Sequence, residues 1–410
     1  MRFFYSTAVR FYGFFIGLAA FLGTIKAKQW KKGRKNWAIE LHQAIPHRKK
    51  LIWIHAASLG EFEQARPLIE KIKKEKPEYF LLLSFFSPSG FEIQKDYKFA
   101  DEVCYLPLDT PLNARKFINI IKPELTIMVK YEFWFNFLNE LHKRKVKTIL
   151  ISGIFRPSQH FFKWYGSWFR KQLQVFDTFF LQNKNAQNLL NDIGYNNAIV
   201  SGDTRFDRVY ELAQENYENK KIEAFCAQEK TIIFGSSWDK EHGFAKQLID
   251  DQLEAKIIIA PHEVSSTKID ALKKILGKHA ILWSELSETE IPLNPRVLII
   301  DQIGMLSKIY RYATLSIIGG GFGAGIHNIL EAAVYGCPTI FGPNFKKFQE
   351  AKDLIEERGA FTISDYNTLK STVQELLTNT AFYASTADKA RNYVEEHAGA
   401  TDQVYQKIFA

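Results

Sequence analysis

Glu61 closes the stretch "HAASLGE", between an apolar run, "LIWI", and the residues Phe62, Ala65, Ile69 and Ile72 at helical spacing. That places a carboxylate where a buried strand ends and a helix begins. A helix N-terminus favours the anion, and a general base must be unprotonated. The same Ser58-x-x-Glu61 spacing is also a capping box, in which Ser58 accepts a backbone N–H and Glu61 reaches back to the chain. Both readings stand at this level. Pro67 falls inside the helix that follows. A proline there costs about 3 kcal/mol unless the helix kinks or restarts, so the first turn is expected to be held apart from the rest.

Other candidates lie at similar places. "IMVKYEFW" puts Lys130 and Glu132 at a strand tip beside Trp134, and "SGDTRFD" puts Arg205 between Asp203 and Asp207. A guanidinium flanked by carboxylates can be held rigidly for an anionic ligand. In "LSIIGGGFGAGIHNILEAA" a strand runs into glycines and then into a predicted helix. Spacings of i,i+3 and i,i+4 would set His327, Asn328 and Glu331 on one helix face. Gly320 and Gly321 would let backbone N–H groups approach a phosphate, and Glu331 would accept from ribose hydroxyls. The competing reading is glycines for tight turns alone. The Gly319-x-Gly321-x-x-Ala324 match to a dinucleotide fingerprint lies late in the chain and lacks the usual opening position. Ser236 and Ser237 end another apolar run, as phosphate donors or helix caps. His262 follows Pro261 at the end of "IIIAP", as a nucleotide contact or a structural loop residue.

The elements that must hold these groups are short, near-continuous apolar runs separated by amphipathic stretches. Such runs indicate parallel sheets covered on both faces. The polar stretch 210–230 separates two sets of them. We expect an α/β protein with a membrane anchor and basic flank at 1–35, a Rossmann-like acceptor domain at 36–209, a linker at 210–230 and a second Rossmann-like domain at 231–410. The polar residues gather past the C-terminal ends of the strands, where open α/β sheets bind ligands. Two such sheets in tandem predict a cleft between them.

With 46% apolar and 24% charged residues among 410, the composition is that of a globular protein. Cys104, Cys226 and Cys337 are far apart, so no disulfide and no metal site is expected, and the setting is a reduced cytosol. Net charge is +9, and "KAKQWKKGRK" concentrates six Lys or Arg directly after the apolar run "FYGFFIGLAAFLGTI". That run falls short of the roughly 20 residues that span a bilayer, unless it extends back to Phe3 with Arg10 snorkelling. No small-residue cleavage site precedes the basic block. A membrane anchor, spanning or interfacial, is expected, with Trp30 and Trp37 near the headgroups, anionic lipids as partners, and the soluble part cytoplasmic. A buried hydrophobic hairpin is the alternative.

Taken together, "HAASLGE", "YEFW", "GDTRFD", "GSSW", the Gly run with "HNILEAA", and "FGPNFKKFQEA" occur in the order seen in bacterial 3-deoxy-D-manno-octulosonic acid (Kdo) transferases. The chain resembles that family over nearly its whole length. The resemblance implies a GT-B fold, two doubly wound parallel-sheet domains facing a cleft. It implies inverting, metal-independent transfer of Kdo from CMP-Kdo, the donor substrate, to a lipid A precursor at the inner membrane, with no cofactor and no nucleic-acid partner. It makes Glu61, beside Ser58 and Gly60, the general base. Arg205, at a position usually held by Lys, stabilises transition-state charge. Glu132 matches the family, whereas Lys130 stands where a carboxylate is common. CMP contacts are implied at Pro261 and His262 and at Gly304, Met305, Leu306 and Ser307. The remaining contacts are implied at Asn328, Leu330, Ala332 and Ala333, with Glu331 central. The "APHEVS" loop lacks an Arg common there, the glycine segment is one residue short, and Ile326 replaces a Gly. A GT-B enzyme using a UDP-sugar and a lipid carrier, or a GT-B sugar-nucleotide epimerase, are the competing readings.

Overall fold

Apolar runs of three to seven residues, too short for helices, pair side by side as parallel strands in the computed structural model, which describes residues 1–46, 49–286 and 295–410. The first seven strands are β1 (Leu51–Ala56), β2 (Phe80–Phe85), β3 (Glu102–Tyr105), β4 (Leu125–Val129), β5 (Lys147–Gly153), β6 (Thr178–Leu181) and β7 (Ala198–Val200). They form a sheet of order β3-β2-β1-β4-β5-β6-β7. The second seven are β8 (Thr231–Ser237), β9 (Lys256–Pro261), β10 (Ala280–Leu282), β11 (Val297–Ile299), β12 (Leu315–Ile318), β13 (Thr339–Phe341) and β14 (Ala360–Thr362). Their order is β10-β11-β9-β8-β12-β13-β14. In each sheet the strand order reverses beside the first strand. The crossovers leave in opposite directions at β1/β4 and at β8/β12, the switch points where doubly wound sheets bind ligands.

Alternation along β1 covers both faces. Ile52, Ile54 and Ala56 pack with Phe62, Leu68, Ile69 and Ile72 of the helix Leu59–Glu75. Trp53 faces the other way, among Phe117, Phe137 and Leu141. Pro67 does not divide that helix, which runs unbroken from Leu59 to Glu75. The apolar face holds it continuous through the proline, which leaves only the Glu63 carbonyl without its helical donor, and Thr204 Oγ1 ties the next carbonyl, that of Gln64, to the chain before Arg205.

The chain divides into two compact units, Met1–Arg208 with Ala398–Ala410, and Val209–His397. The expected boundaries therefore move in two places. The stretch expected as a linker is built into the second unit: Arg311 donates to the carbonyls of Glu215 and Tyr217, and Lys308 pairs with Glu215 at 2.7 Å. The C-terminal helix Ala400–Phe409 packs in the first unit, with Val404, Tyr405 and Ile408 in its core. Asp207 holds its start, accepting from Gly399 N, Thr401 N at 2.8 Å and Thr401 Oγ1 at 2.7 Å.

The N-terminal helix Arg2–Phe21 has the length and hydropathy to cross a bilayer. One side docks on the first unit. Tyr5 Oη donates to the buried Asp109 at 2.6 Å, and Arg2 Nε donates to Asn136 Oδ1 at 3.1 Å. The other side exposes Phe3, Phe4, Phe11, Phe14, Phe15 and Phe21. Trp30 and Trp37, expected near the headgroups, are half-buried against the first unit. Trp30 packs on Phe86 under the Arg34 guanidinium, and Trp37 packs on Phe117, because the basic flank folds back onto the sheet.

Replacing Asp207 with Ala strips three hydrogen bonds from the start of the last helix. The loss is expected to lower unfolding free energy by about 2–3 kcal/mol in urea titration. An unchanged midpoint would show that this clasp carries no stability.

Candidate active site

At the first switch point the turn after β1 carries Glu61 and the turn after β4 carries Glu132. Ser58, in extended backbone, sits at the N-cap position, but its hydroxyl caps no backbone N–H. It donates to Glu61 Oε2 instead. The capping-box alternative is therefore not what forms. The serine orients the carboxylate, and Glu61 remains half-exposed in the first turn of the helix, where the dipole favours its anion. The neighbouring Gly60 is exposed, and a side chain there would meet nothing closer than Ser58 Oγ at 3.8 Å.

β4 gives way at Lys130, whose φ of +62° turns the chain sharply before Tyr131 and Glu132. Glu132 is buried, and its Oε2 accepts from Trp134 Nε1 at 2.5 Å. Lys130 Nζ and the Arg156 guanidinium lie 5.5 and 5.8 Å from the centre of the Tyr131 ring. Burial raises the Tyr131 phenol; Arg156 opposes that and the Glu61 charge adds to it. Tyr131 and Arg156 thus join the Glu61 site; Arg156 follows the end of β5, as the gathering of polar residues at strand ends leads one to expect, whereas Tyr131 had no signal of its own.

Arg205 is tied to the same helix by a relay. Its Nε and Nη2 donate to Asp203 Oδ2 at 2.9 and 2.8 Å, and Gln64 Nε2 reaches both Asp203 oxygens at 3.1 Å. Gln64 lies one turn beyond Glu61. Burial pushes the Asp203 carboxyl up, but the Arg205 charge and the hydrogen bonds from Arg205 and Gln64 outweigh it and hold it below the usual range. The relay keeps Arg205 oriented without relying on the surface.

At the second switch point the ends of β8 and β12 cross closely. A side chain on Gly319 would strike the Ser236 carbonyl. The helix expected to carry His327, Asn328 and Glu331 on one face is only Leu330–Ala333. His327 and Asn328 lie in the loop before it, which turns at Gly320 (φ +87°) and Gly325 (φ +142°). Asn328 still meets Glu331, donating at 3.0 Å, while its Oδ1 accepts from Leu330 N at 3.2 Å. Leu330, Ala332 and Ala333 are buried and serve packing.

The glycine loop uses its own donors. Gly320 N–H goes to the buried Glu241 at 3.2 Å, and Gly323 N and Gly325 N go to the Gly320 carbonyl. Glu241 also accepts from Trp238 N at 3.0 Å, so one carboxylate joins the end of β8 to the loop after β12. Composition gave no signal for it beyond an acid in a first helical turn. Ser237 is likewise engaged, with His242 Nε2 at 3.1 Å, and Ser236 adopts a left-handed φ of +49° at the bulge between β8 and β9.

His262, just past Pro261, stacks on Trp238 at 4.5 Å and on His327 at 4.6 Å. Trp238 Nε1 donates to His327 Nε2 at 3.2 Å, which places the His327 proton on Nδ1. Trp238 and His327 of this stack line a cavity of about 390 Å³ with Lys240, Phe322 and Ala324. After β11, Gly304 takes a φ of +95° and leads into the short helix Leu306–Ile309, with Met305 buried and Ser307 half-buried. In the first unit a larger cavity, about 900 Å³, lies beside the N-terminal helix. Gly13, Phe21, Trp30 and Leu108 line it, with Arg10, Lys28, Lys31, Lys32 and Lys35.

The profile of the family "3-Deoxy-D-manno-octulosonic-acid transferase (kdotransferase)" matches residues 30–208, which include Glu61, Glu132 and Arg205. A 3-deoxy-D-manno-octulosonic acid transferase of Rickettsia felis is 29% identical over 375 residues, 88% of this chain and 79% of its own length. The chain is similar to the Kdo transferases. In fold it is GT-B. It covers 99% of MurG from Acinetobacter baumannii and 88% of itself at a TM-score of 0.55 and 13% identity. A UDP-GlcNAc 2-epimerase from Neisseria meningitidis bound to UDP-GlcNAc gives 0.63 at 12% identity, with coverage of 88% and 99%.

Burial holds two imidazoles of the second unit down. His242 falls to about 4, and His327 falls to about 4 with the neighbouring His262 adding to the effect. Both stay neutral in the fold while the unfolded chain takes up protons from about pH 6.5 downward. The stability they carry is whole above that value and is lost as pH falls toward 4. Thermal melting should therefore drop across this window, and the drop should shrink in His242→Asn and His327→Asn. Equal slopes in all three proteins would contradict the assignment.

Proposed function

We propose that this glycosyltransferase relative moves Kdo from CMP-Kdo to a lipid A precursor, lipid IVA, with inversion at the anomeric carbon. The observation that carries the reading is Glu61. It is a half-exposed carboxylate at the β1/β4 switch point, oriented by Ser58, inside the segment that matches the Kdo transferase profile. In the reaction Glu61 takes the proton of the acceptor hydroxyl as that oxygen attacks the anomeric carbon. The bond to the cytidylate phosphate breaks, and the phosphate leaves with the electron pair. Arg205, fixed on Asp203, opposes the negative charge that develops. Cytidylate is already a good leaving group, so the step needs no metal.

The first unit is then the acceptor side and the second the donor side. Pro261, His262, Gly304, Met305, Leu306, Ser307 and the 328–333 segment are the proposed cytidylate contacts. Ser236, Ser237, Gly320 and Gly321 surround the phosphate end, with side chains contributing more than the engaged glycine N–H groups. Lys130 supplies positive charge beside Glu132. The epimerase likeness is one of fold and does not favour that chemistry here.

The Phe-rich side of the helix Arg2–Phe21 supports attachment to an anionic membrane on the cytoplasmic face of the inner membrane, lying in its plane. Its opposite side is committed to Asp109 and Asn136, and the lysines that follow suit acidic headgroups. The cation-rimmed cavity beside it suits an acyl chain carrying phosphate.

Purified protein with CMP-Kdo and lipid IVA should form glycolipid, and UDP-sugars should not replace the donor. Glu61→Ala should lose about 100-fold or more in kcat while calorimetric CMP binding stays unchanged. Wild-type turnover in Glu61→Ala would remove the proposed base. Wild-type protein that binds CMP without making glycolipid would overturn the enzymatic reading. Replacing Phe11, Phe14 and Phe15 together with Ser should weaken sedimentation with vesicles containing acidic lipid at least tenfold, by roughly the apolar area lost. Unchanged sedimentation would refute in-plane attachment through that face.

A further inference from the structure

Among the described residues His55 is the one imidazole in the interior of the first sheet, and an apolar residue would fill its place more cheaply. It is fully buried in "LIWIHA", where a polar ring is costly unless its nitrogens are engaged. Nδ1 is engaged on β2: Ser84 O lies at 3.0 Å and Ser84 Oγ at 2.9 Å. Ser84 Oγ in turn accepts from Trp53 Nε1 at 2.8 Å. That side of the ring is locked by three groups of the sheet.

The other nitrogen points at the proposed acceptor site. His55 Nε2 lies 3.2 Å from Glu132 Oε2, off the line of a good hydrogen bond. In register, His55 pairs with Met128 of β4. The left-handed turn at Lys130 is what brings Glu132, four residues beyond Met128, over the imidazole. Glu132 Oε2 is thus held between His55 Nε2 and Trp134 Nε1, while Oε1 has no hydrogen-bond partner among the described residues. Contacts of this kind are often misaligned before substrate binds and tighten in the complex.

We propose that His55 is a positioning residue that acts through Glu132. With Nδ1 accepting the Ser84 Oγ hydrogen, the ring carries its proton on Nε2 and from there steadies one carboxylate oxygen, so that the other is presented to an acceptor hydroxyl. Ser84 and Trp53 fix the ring that does so. The proposal rests on reading the first unit as the acceptor side of a glycosyl transfer, and it assigns to this histidine a part that its place in a buried strand would hide.

Two substitutions separate the two ends of the ring. Gln can place an amide N–H where Nε2 stands, whereas Asn reaches only the Ser84 side. With CMP-Kdo and lipid IVA, H55Q should keep kcat within about threefold of wild type. H55N and H55L should lose about 30-fold in kcat with acceptor KM within twofold, at melting temperatures that show folded protein. Because the effect passes through Glu132, H55N combined with E132Q should be no slower than E132Q alone. The Trp134 indole N–H resonance reads the same carboxylate without substrate: it should move in H55N and stay in H55Q. An unmoved resonance in H55N, wild-type kcat in H55N, or losses that multiply in the double variant would overturn the proposal. Failure of the wild-type enzyme to transfer Kdo, with the resonance responding as stated, would overturn the functional reading and leave the pairing intact.

Discussion

Parallel pairing imposes the constraint from which the site follows. Neighbouring strands that run the same way cannot be joined by a tight turn, so every connection crosses a face and returns. Where one crossover goes left and the next goes right, the loops part and leave backbone and side chains uncovered. β1/β4 and β8/β12 are those places, and every residue with a plausible chemical role sits at one of them or at a strand end nearby. Central strands buried over their full length are what make the edges of the gap firm.

Firm strands alone do not orient side chains in loops. That work falls to a few buried polar groups, each bridging two loops. Asp203 joins Arg205 to the helix that carries Glu61 through Gln64, Glu241 joins the end of β8 to the glycine loop, and Glu132 lies between His55 and Trp134. Buried carboxylates of this kind are costly unless each is met by donors. Asp203 and Glu241 are each met by donors from two separate segments, and Glu132 by Trp134 with the His55 ring beside it, so removing one donor disturbs both segments it joins.

The two sheets were legible because near-continuous apolar runs leave no other arrangement, and the strand-end position of Glu61, Glu132 and Arg205 followed from that. What spacing could not decide were choices between equal geometries. Ser58 and Glu61 fit a capping box and a side-chain pair equally well, and only the fold selects the pair. His327, Asn328 and Glu331 fit a helix face, but Gly320 and Gly325 in left-handed or near-extended positive φ give the chain a loop instead. Glu241 was invisible because an acid in a first helical turn is ordinary on the surface. The return of Ala400–Phe409 to the first unit depends on Asp207, nearly two hundred residues earlier, and no local pattern records such a contact.

Glu241 also changes how the second switch point can hold an anion. A glycine loop ahead of a helix is usually read as a cradle of free N–H groups. Here the protein supplies its own carboxylate to Gly320, and the Gly320 carbonyl takes two further N–H groups of the loop. Burial raises Glu241, with the backbone donors and Lys240 opposing, so the loop is held without requiring a bound phosphate. A phosphate arriving there meets a preformed turn whose Gly320 donor is already spent. Its recognition must come from groups that the internal carboxylate leaves available, chiefly the side chains stacked around Trp238. On the donor-side reading proposed above, that is the physical reason for discrimination to fall to His262, His327 and Lys240 rather than to the number of glycines.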